Sequence, residues 1–370
     1  MERFEWPGQS DSNSPGFWWQ GEFRMFQSSG LPHLYRGTSQ FDTQAAPDVF
    51  LHFSGHQPIW IESLYPAEDG ALYGWYHHEQ VVCDGRLSVP KIGAVVSYDG
   101  GESFHDLGIV LESGEAPDCS MENGYFAGGH GDPSILVDAK RQFVYFYFGN
   151  YAGPVEQQGV AVARMAFEDL ASPAGRVWKY FEGDWTEPGL GGRMTPIFPA
   201  AVSWARPDTD AYWGPALHWN THLEQYVMLL NRSCCEPRFP QEGIYVSFNP
   251  DLGNPGGWTE PVKIVDRGMW YPQVMGLEPG ETDREAGRVA RFYGMGVSYS
   301  EIVFLRDGEA EDPPAAPELD PVTPEEPLGT PPDTPGLPGG PERPGDPPPG
   351  PLAKAPPRVL ISGRKAPPRQ

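Results

Sequence analysis

The chain has 370 residues and a strongly acidic balance, with 26 lysines and arginines against 50 aspartates and glutamates and a formal net charge of −24. Nucleic-acid binding needs clustered basic side chains that displace counterions from phosphates, and docking on an anionic membrane surface needs them as well. The charge therefore argues against a nucleic-acid partner and against a membrane partner. The length is ample for one large domain with a buried core.

Proline divides the chain into parts. Residues 311–370 hold 20 of the 43 prolines and no aromatic residue. A segment of this composition cannot bury enough apolar surface to fold by itself. We therefore predict an N-terminal extension at residues 1–15, a folded domain at 16–308 and a disordered Pro- and Gly-rich tail at 309–370.

The sequence shows no targeting or membrane signal. No apolar run approaches the ~20 residues that span a bilayer, and the start Met1–Trp6 has neither the basic residues nor the apolar run of a signal peptide. We therefore expect a cytoplasmic monomer by default, and a secreted or periplasmic protein if the chain continues before Met1. The four cysteines are too few for a disulfide framework and lack zinc-site spacing. They are Cys83, Cys119, Cys234 and Cys235.

In chain order, short runs of β-branched and aromatic residues, separated by Gly, Pro, Asn and Asp, predict strands. They include Phe23–Gln27, Leu34–Arg36, Val49–Phe53, Phe143–Phe148, Tyr226–Leu230 and Gly243–Phe248. The one helical candidate is the short segment Met165–Ala171. The sequence therefore predicts a nearly all-β domain.

An internal repeat organises these strands. Four segments start with a proline-containing strand at Gln57, Asp132, Gly214 and Tyr271, and these starts lie 75, 82 and 57 residues apart. Repeats that each run through four strands are typical of the blades of a β-propeller. With residues 16–55 as a further blade, the sequence predicts an all-β fold, a five-bladed β-propeller.

The predicted hairpin Ser97–Phe104 supports the propeller. It follows the pattern Ser-x-Asp-x-Gly-x-x-aromatic, in which the aspartate caps the turn and glycine supplies a positive φ. This pattern resembles the Asp-box of sialidases and other propellers. It is a structural motif and carries no direct information on catalysis.

The repeat also predicts which side chains converge at one rim of the central channel. The first strand of each blade lines the channel, and its start meets the end of the antiparallel second strand. The residues placed at this rim are His56, Gln57, Asp132, Trp213, Trp270 and Tyr271 from first strands, and His77, His78, Glu79, Asn150, Tyr151, Asn231 and Arg232 from second strands. Aromatic walls with carboxylates, imidazoles, amides and an arginine suit a polar, ring-shaped ligand such as a carbohydrate.

Over roughly residues 50–300 the sequence resembles the five-bladed propeller glycoside hydrolases of the arabinanase and β-xylosidase type. Gly131–Ser134 is similar to their Asp-Pro-Ser blade start, and the resemblance implies that Asp132 tunes the pKa of the acid and orients the substrate. Trp213–Pro215 resembles either their Trp-Ala-Pro or their Glu-Gly-Pro start, and the second match would place the catalytic acid at Trp213. The family's general base is expected where His56–Pro58 stands. The family's usual catalytic trio is therefore not reproduced.

Glycoside hydrolysis usually needs one carboxylic acid and a second carboxylate that acts as base or nucleophile. At the predicted rim we assign Glu79 as the general acid and Asp132 as the base or the orienting carboxylate. His77 or His78 would tune their pKa values. Glu62 is a third candidate for a catalytic carboxylate, and we rank it below the other two because strand alternation turns it away from the face that carries the rim residues.

The sequence therefore predicts a glycoside hydrolase that acts on a glycan or glycoside by carboxylate acid/base chemistry at the channel mouth. The alternative is a non-catalytic carbohydrate-binding or interaction propeller. We expect no cofactor and no metal ligands. A structural calcium ion is left open as an alternative, although the sequence has no dedicated calcium-binding loop. His218 and His222 have a spacing used by helical metal sites, but on a strand and its turn they predict one packed and one exposed residue.

Overall fold

The computed structural model describes residues 3–52, 55, 57–237, 239–309 and 356–363. Its strands form five sheets that follow one another along the chain, and each sheet is a propeller blade. β1 (Phe4–Glu5) precedes blade 1, which contains β2 (Gly16–Trp19), β3 (Glu22–Ser28), β4 (Pro32–Gly37) and β5 (Gln44–Ala45). Blade 2 contains β6 (Phe50–His52), β7 (Ile59–Pro66), β8 (Leu72–Val82), β9 (Leu87–Ser97) and β10 (Ser103–Leu111).

The remaining three blades complete the ring. Blade 3 contains β11 (His130–Val137), β12 (Phe143–Asn150), β13 (Gly159–Ala166), β14 (Trp178–Phe181), β15 (Asp184–Pro188) and β16 (Phe198–Pro199). Blade 4 contains β17 (Asp210–Asn220), β18 (Gln225–Cys234), β19 (Gln241–Asn249) and β20 (Val262–Asp266). Blade 5 contains β21 (Pro272–Gly276), β23 (Val289–Gly294), β24 (Val297–Leu305) and β25 (Arg358–Gly363), together with β1, while β22 (Glu285–Ala286) pairs with β17.

The hydrophobic core lies between blades. Successive residues of a strand point to opposite faces of its sheet, so a strand with a blade on either side is apolar on both faces. On β12, Phe146 packs against Trp75 of blade 2, whereas the next residue, Tyr147, packs against Trp258 of blade 4. The high aromatic content therefore fills the interfaces between blades, and Trp258 is one of these packing residues.

The N-terminal segment closes the ring. β1 pairs with β24 of blade 5, and Trp6 stacks on Tyr293 with ring centroids 3.8 Å apart. Closer to the channel, the Ser14 amide donates to Gln273 Oε1 at 2.7 Å, and Gln273 Nε2 donates back to the Ser14 carbonyl at 3.0 Å. Residues 3–15, predicted as an extension, therefore join the first blade to the last.

The five-bladed, all-β prediction is confirmed, and the inner strands of blades 2 to 5 begin within four residues of the predicted starts. The predicted helix at Met165–Ala171 is wrong: Met165 and Ala166 end β13, where Met165 pairs with Val144, and Phe167–Asp169 is one 3₁₀ turn. The described residues hold four 3₁₀ turns: Cys83–Gly85, Val155–Gln157, Phe167–Asp169 and Pro255–Gly257. Within the part of the chain that the structure describes, no helix is long and apolar enough to cross a bilayer.

The hairpin between β9 and β10 has a compact set of side-chain contacts. Ser97 Oγ donates to Asp99 Oδ1 at 2.7 Å, and Asp99 accepts from the Ser103 amide at 2.9 Å. Gly100 and Gly101 take positive φ angles, and Phe104 is fully buried between strands. The aspartate thus caps the turn in the manner that the sequence pattern predicts.

Two features were not anticipated from composition. The proline-rich segment contributes β25, whose apolar run Val359–Ile361 pairs with β24, because an average over sixty residues hides a short strand-forming run. The four cysteines form two disulfides, Cys83–Cys119 and Cys234–Cys235. The first ties the end of β8 to the connection between blades 2 and 3.

Candidate active site

The inner strands of blades 2, 3 and 4 each break their pairing register at a corresponding position. The interruptions lie between Ile61 and Ser63, between Gly131 and Ser134, and between Trp213 and Ala216. Such an irregularity re-aims side chains that regular alternation would send elsewhere. In blades 2 and 3 the irregular position holds a carboxyl side chain, Glu62 in blade 2 and Asp132 in blade 3. In blade 4 the irregular segment is Gly214-Pro215.

One serine in each of blades 1, 2 and 3 fixes the spacing to the inner strand of the next blade. Each hydroxyl accepts a hydrogen bond from a backbone amide of the following inner strand: Ser28 from Ile61 at 3.1 Å, Ser63 from Ile135 at 2.9 Å, and Ser134 from Leu217 at 3.0 Å. The inner strands are therefore held at a defined separation. This brings the side chains in their irregular positions together around the channel.

A histidine between two glutamates forms the centre of the site. His77 Nδ1 lies 3.1 Å from Glu62 Oε1, and its Nε2 lies 3.5 Å from Glu79 Oε1. Burial disfavours the imidazolium, but hydrogen bonds and charges from Glu62 and Glu79 outweigh it and hold the pKa of His77 well above its usual value. His77 is therefore a buried cation between two carboxyl groups.

Glu79 is the member of this group that reaches solvent. Its side chain is 28% exposed, and Ser88 Oγ donates to its Oε2 at 2.9 Å. Burial alone would raise the pKa of the Glu79 carboxyl, but His77 and then Ser88 lower it below its usual value. Glu79 therefore stays ionised in weak acid, which suits a base rather than the general acid expected from the sequence.

Asp132 lies beside this histidine but is buried. The Tyr151 hydroxyl donates to its Oδ2, and Tyr271 also bonds to the carboxylate. Burial raises the pKa of Asp132, while the charge of His77 and the tyrosine hydroxyls oppose the rise. A Cβ atom at the neighbouring Gly131 would lie 3.3 Å from the His77 ring, so glycine lets β11 approach the histidine closely. A carboxylate buried in this way suits an orienting role better than a role that needs extensive direct contact with the substrate.

Asp11 is a further carboxyl at the mouth. Its amide donates to the Ser28 carbonyl at 3.0 Å, which places it at the rim end of blade 1. Desolvation, followed by the charges of Asp132 and Glu79, raises the pKa of Asp11 to about 6. Its side chain is still exposed, so water screens part of this interaction. Asp11 is therefore an accessible carboxyl whose pKa lies above its usual value.

Aromatic side chains line the rest of the channel mouth. Trp213 meets Trp270 and Tyr271 edge to face, with centroids 5.6 Å apart in both pairs. Tyr125, from the connection between blades 2 and 3, reaches Trp270 at 6.5 Å and is 42% exposed. Phe126 stacks on Tyr151 at 4.2 Å. The predicted aromatic wall is thus present, with Tyr125 and Phe126 added to it.

The remaining predicted rim residues differ in how far their polar groups are engaged. Asn150 bonds to the Ala152 backbone and the Gln157 carbonyl, and the Asn231 amide contacts the carbonyls of Trp213 and Gly214 and the side chain of Gln241. Arg232 forms a two-pronged pair with Asp210, with both N–O distances 2.9 Å. The three sites are thus occupied by internal partners. His56 lies outside the described residues.

A cavity of about 420 Å³ opens beside Glu79. It is lined by Gly55, Gln57, His78, Glu79, Gln80, Val81, Lys91 and Ile109. His78 is buried, with Nδ1 3.0 Å from the Pro58 carbonyl, whereas Gln57 is exposed. Glu79 therefore faces both the buried histidine and a space large enough for a sugar ring.

The donor atoms of Glu62, His77 and Asp132 lie within 4.8 Å of one another. Calcium takes six to eight oxygen ligands, whereas this cluster offers two carboxyl groups and an imidazole, of which Glu62 bonds to His77 and Asp132 to Tyr151. The grouping of Asp210 with Cys234 and Cys235 has its sulfurs in a disulfide. We assign no metal ligands, and the expectations about cofactor and calcium remain predictions.

Sequence reasoning missed Asp11 and set Glu62 aside. Regular alternation sends Glu62 away from the channel, but the irregularity between Ile61 and Ser63 turns it inward. A usable signal was the serine after it, since Glu62-Ser63 corresponds to Asp132–Ser134 in the next blade. Asp11 fell within a segment interpreted as an extension, although the polar run before Pro15 leads into the first blade.

Comparison with solved structures identifies the architecture. A thermostable family-43 glycoside hydrolase superposes with a TM-score of 0.51 at 13% identity, covering 86% of this chain and 99% of the other. The α-L-arabinanase of Cellvibrio cellulosa, solved with arabinohexaose, gives a TM-score of 0.51 at 12% identity, covering 81% and 94%. No protein-family model and no curated protein matches the sequence. The chain thus has the five-bladed propeller fold of these glycoside hydrolases.

Proposed function

We propose that this protein is a glycoside hydrolase that uses Asp11 as general acid and Glu79 as general base. The observation that carries the proposal is the pair itself: two accessible carboxyls beside one channel mouth, with the pKa of Asp11 raised and that of Glu79 lowered. Environments that drive two carboxyl pKa values apart create a proton donor and a proton acceptor at the same pH. The fold shared with family-43 glycoside hydrolases supports a carbohydrate substrate.

In this mechanism Asp11 donates its proton to the glycosidic oxygen as the bond to the anomeric carbon breaks. Glu79 takes a proton from the water whose oxygen bonds to that carbon. Asp132, held by Tyr151 and Tyr271, orients the substrate and keeps a negative charge near Asp11. The exposed ring of Tyr125 and the half-buried ring of Trp270 provide surfaces on which the apolar face of a sugar can stack.

The test is a screen of aryl furanosides, aryl pyranosides and polysaccharides, with arabinose-containing substrates included because of the arabinanase fold. We expect Glu79→Gln and Asp11→Asn each to lower kcat by about 10²- to 10⁴-fold. The matched control is Glu168→Gln, an exposed glutamate beyond the end of β13, which should leave kcat unchanged. Full activity in both site variants on a substrate that the wild type cleaves would contradict the proposal.

The pH dependence tests the two roles separately. The kcat/KM of the wild type should fall as pH rises through about 6, because Asp11 then loses its proton. It should fall again in more acidic solution, when Glu79 becomes protonated. A basic limb that persists unchanged in Asp11→Asn would exclude Asp11 as the acid.

A non-catalytic carbohydrate-binding propeller is the second candidate. It is favoured by Trp213, which stands at the position where the resemblance would place a catalytic glutamate. Calorimetry on the same glycans separates the two: binding by the wild type without turnover, retained in Glu79→Gln, would support this candidate.

We also propose that the protein works in an oxidising compartment, which replaces the cytoplasmic expectation. All four cysteines are paired, and such bonds persist mainly in secreted or periplasmic proteins. Alkylation of native protein without a reductant, followed by intact-mass measurement, should add no label. Two or more labelled thiols in protein taken from its natural location would contradict this proposal.

A further inference from the structure

Glu62 is a fully buried carboxyl group that the proposed reaction does not use, and burial raises its pKa to about 8 against the hydrogen bond and the charge of His77. Its side chain has 0% exposure, and its Oε1 lies 3.1 Å from His77 Nδ1. On the other side of the same ring, Nε2 lies 3.5 Å from Glu79 Oε1. The three side chains therefore form a line from the core of blade 2 to the accessible carboxylate at the channel mouth.

We propose that Glu62 is a positioning residue that acts through His77: it fixes the ring with Nδ1–H toward the core and Nε2–H toward Glu79, so that a donor nitrogen faces the carboxylate that serves as base. The inference rests on the proposed function only for the role of Glu79 as base. The line Glu62–His77–Glu79 itself is a property of the folded chain.

The surroundings of His77 explain why Glu62 matters. The other groups that face the site are Glu79 and His78 on β8, Asp132 on β11, Asp11 in the N-terminal segment, and the hydroxyls of Tyr151 and Tyr271. Of these, only Glu79 lies within ion-pair distance of the ring. Glu62 bonds to the opposite nitrogen, so it selects which nitrogen faces the substrate side.

Removing the Glu62 carboxyl group should shift the balance at His77. Burial penalises the imidazolium, and Glu79 at 3.5 Å would be the one carboxyl left of the two that flank the ring, so His77 should give up its proton at lower pH. Glu79 would then face a neutral ring above that pH and a protonated ring below it. Glu62→Gln keeps the size and an oxygen acceptor for Nδ1–H, so it removes the ionisable group with little change of shape.

The first test is an NMR titration of histidine-labelled protein, with the His77 signal assigned by its absence in His77→Gln. We expect His77 to titrate well above the ordinary range in the wild type and at least about one pH unit lower in Glu62→Gln. The matched control is Asp283→Asn, which removes a half-buried carboxyl group that accepts from the Gly16 amide at 2.8 Å and has Arg284 as its charged neighbour. The control should leave the His77 titration in place. An unchanged titration in Glu62→Gln would overturn the proposal.

The second test follows activity. On a substrate that the wild type cleaves, kcat should fall several-fold in Glu62→Gln at pH values where His77 has lost its proton in the variant but not in the wild type, and should stay unchanged in Asp283→Asn. A His77 titration that moves while kcat at those pH values does not would overturn the link to Glu79. If no substrate is cleaved, the proposed hydrolase fails while the NMR result still decides whether Glu62 sets the state of His77. Should Glu62→Gln not fold, Glu79→Gln serves instead: loss of this partner must also lower the His77 titration, and no change would overturn the line of contacts.

Discussion

His77 and His218 are both buried histidines on strands that face neighbouring blades, and their environments give them opposite chemistry. His77 lies between Glu62 and Glu79, and its pKa is raised well above the usual value. His218 packs edge to face against Phe304 at 5.3 Å, and desolvation lowers its pKa to about 3. Burial alone therefore makes a histidine a neutral packing residue, as the sequence predicted for His218, whereas burial between carboxylates makes a charged one.

The comparison extends to the two sides of the ring. The N-terminal segment and blades 2 and 3 supply the carboxyl groups of Asp11, Glu62, Glu79 and Asp132, whereas blades 4 and 5 supply mainly aromatic walls. The same backbone irregularity carries Asp132 in blade 3 and Gly214-Pro215 in blade 4. The fold thus offers equivalent positions around the channel, and side-chain chemistry decides which part of the mouth reacts and which part binds.

For the comparison of the two histidines, the largest expected effect comes from replacing each of them in a separate variant. His77→Gln should lower kcat by about tenfold to a hundredfold, because loss of a charged neighbour shifts the pKa of a carboxyl by roughly 1–3 units. His218→Met keeps an apolar, adaptable side chain against Phe304 and should leave kcat within about twofold. Steady-state kinetics on one substrate compares them. Equal losses in the two variants would show that packing, rather than charge, explains the effect of His77.

The pH dependence of stability should separate the same two residues by sign. The folded pKa of His218 is depressed from 6.5 to about 3, so acid below 6.5 favours the unfolded chain, and this histidine alone costs about 2 kcal/mol of unfolding free energy by pH 5. His77 has a raised folded pKa, so its contribution is present below 6.5 and is lost as pH rises through the folded value.

Denaturant unfolding at several pH values measures both contributions. His218→Met should lose less stability than the wild type between about pH 7 and pH 5. His77→Gln should lose more of its stability, relative to the wild type, at pH 6 than in alkaline solution. If both variants shift the pH profile in the same direction, the opposite assignments for the two histidines are wrong.

The blades could be predicted from the sequence because each inner strand repeats a proline and each blade repeats strand-forming runs. This periodicity placed the blade starts and the residues of the rim, including Asp132, Glu79 and Trp213. It worked because propeller geometry converts sequence spacing into position around a ring. The number of blades and the composition of the rim followed directly.

The central contact of the site could not be derived in the same way. Strand alternation is a rule for regular pairing, and one extra residue at Glu62 reverses its direction. The role of Glu79 was also assigned without its partners, since the sequence does not show that His77 and Ser88 lower the pKa of its carboxyl. Ring closure by residues 3–15 depends on contacts between chain segments more than two hundred residues apart, and these brought Asp11 to the mouth.

The smallest expected effect comes from the close approach of blades 2 and 3. A Cβ atom at Gly131 would lie 3.1 Å from Pro90 Cβ and 3.3 Å from the His77 ring. Gly131→Ala should therefore displace the ring by a few tenths of an ångström and lower kcat several-fold, since reactive geometry is sensitive to small shifts. Gly256→Ala, where the nearest atom would be 3.7 Å away, is the control and should change neither kcat nor the melting temperature. Unchanged kcat in Gly131→Ala would mean that the His77 ring tolerates displacement, and that the charge at the centre of the site matters more than its exact position.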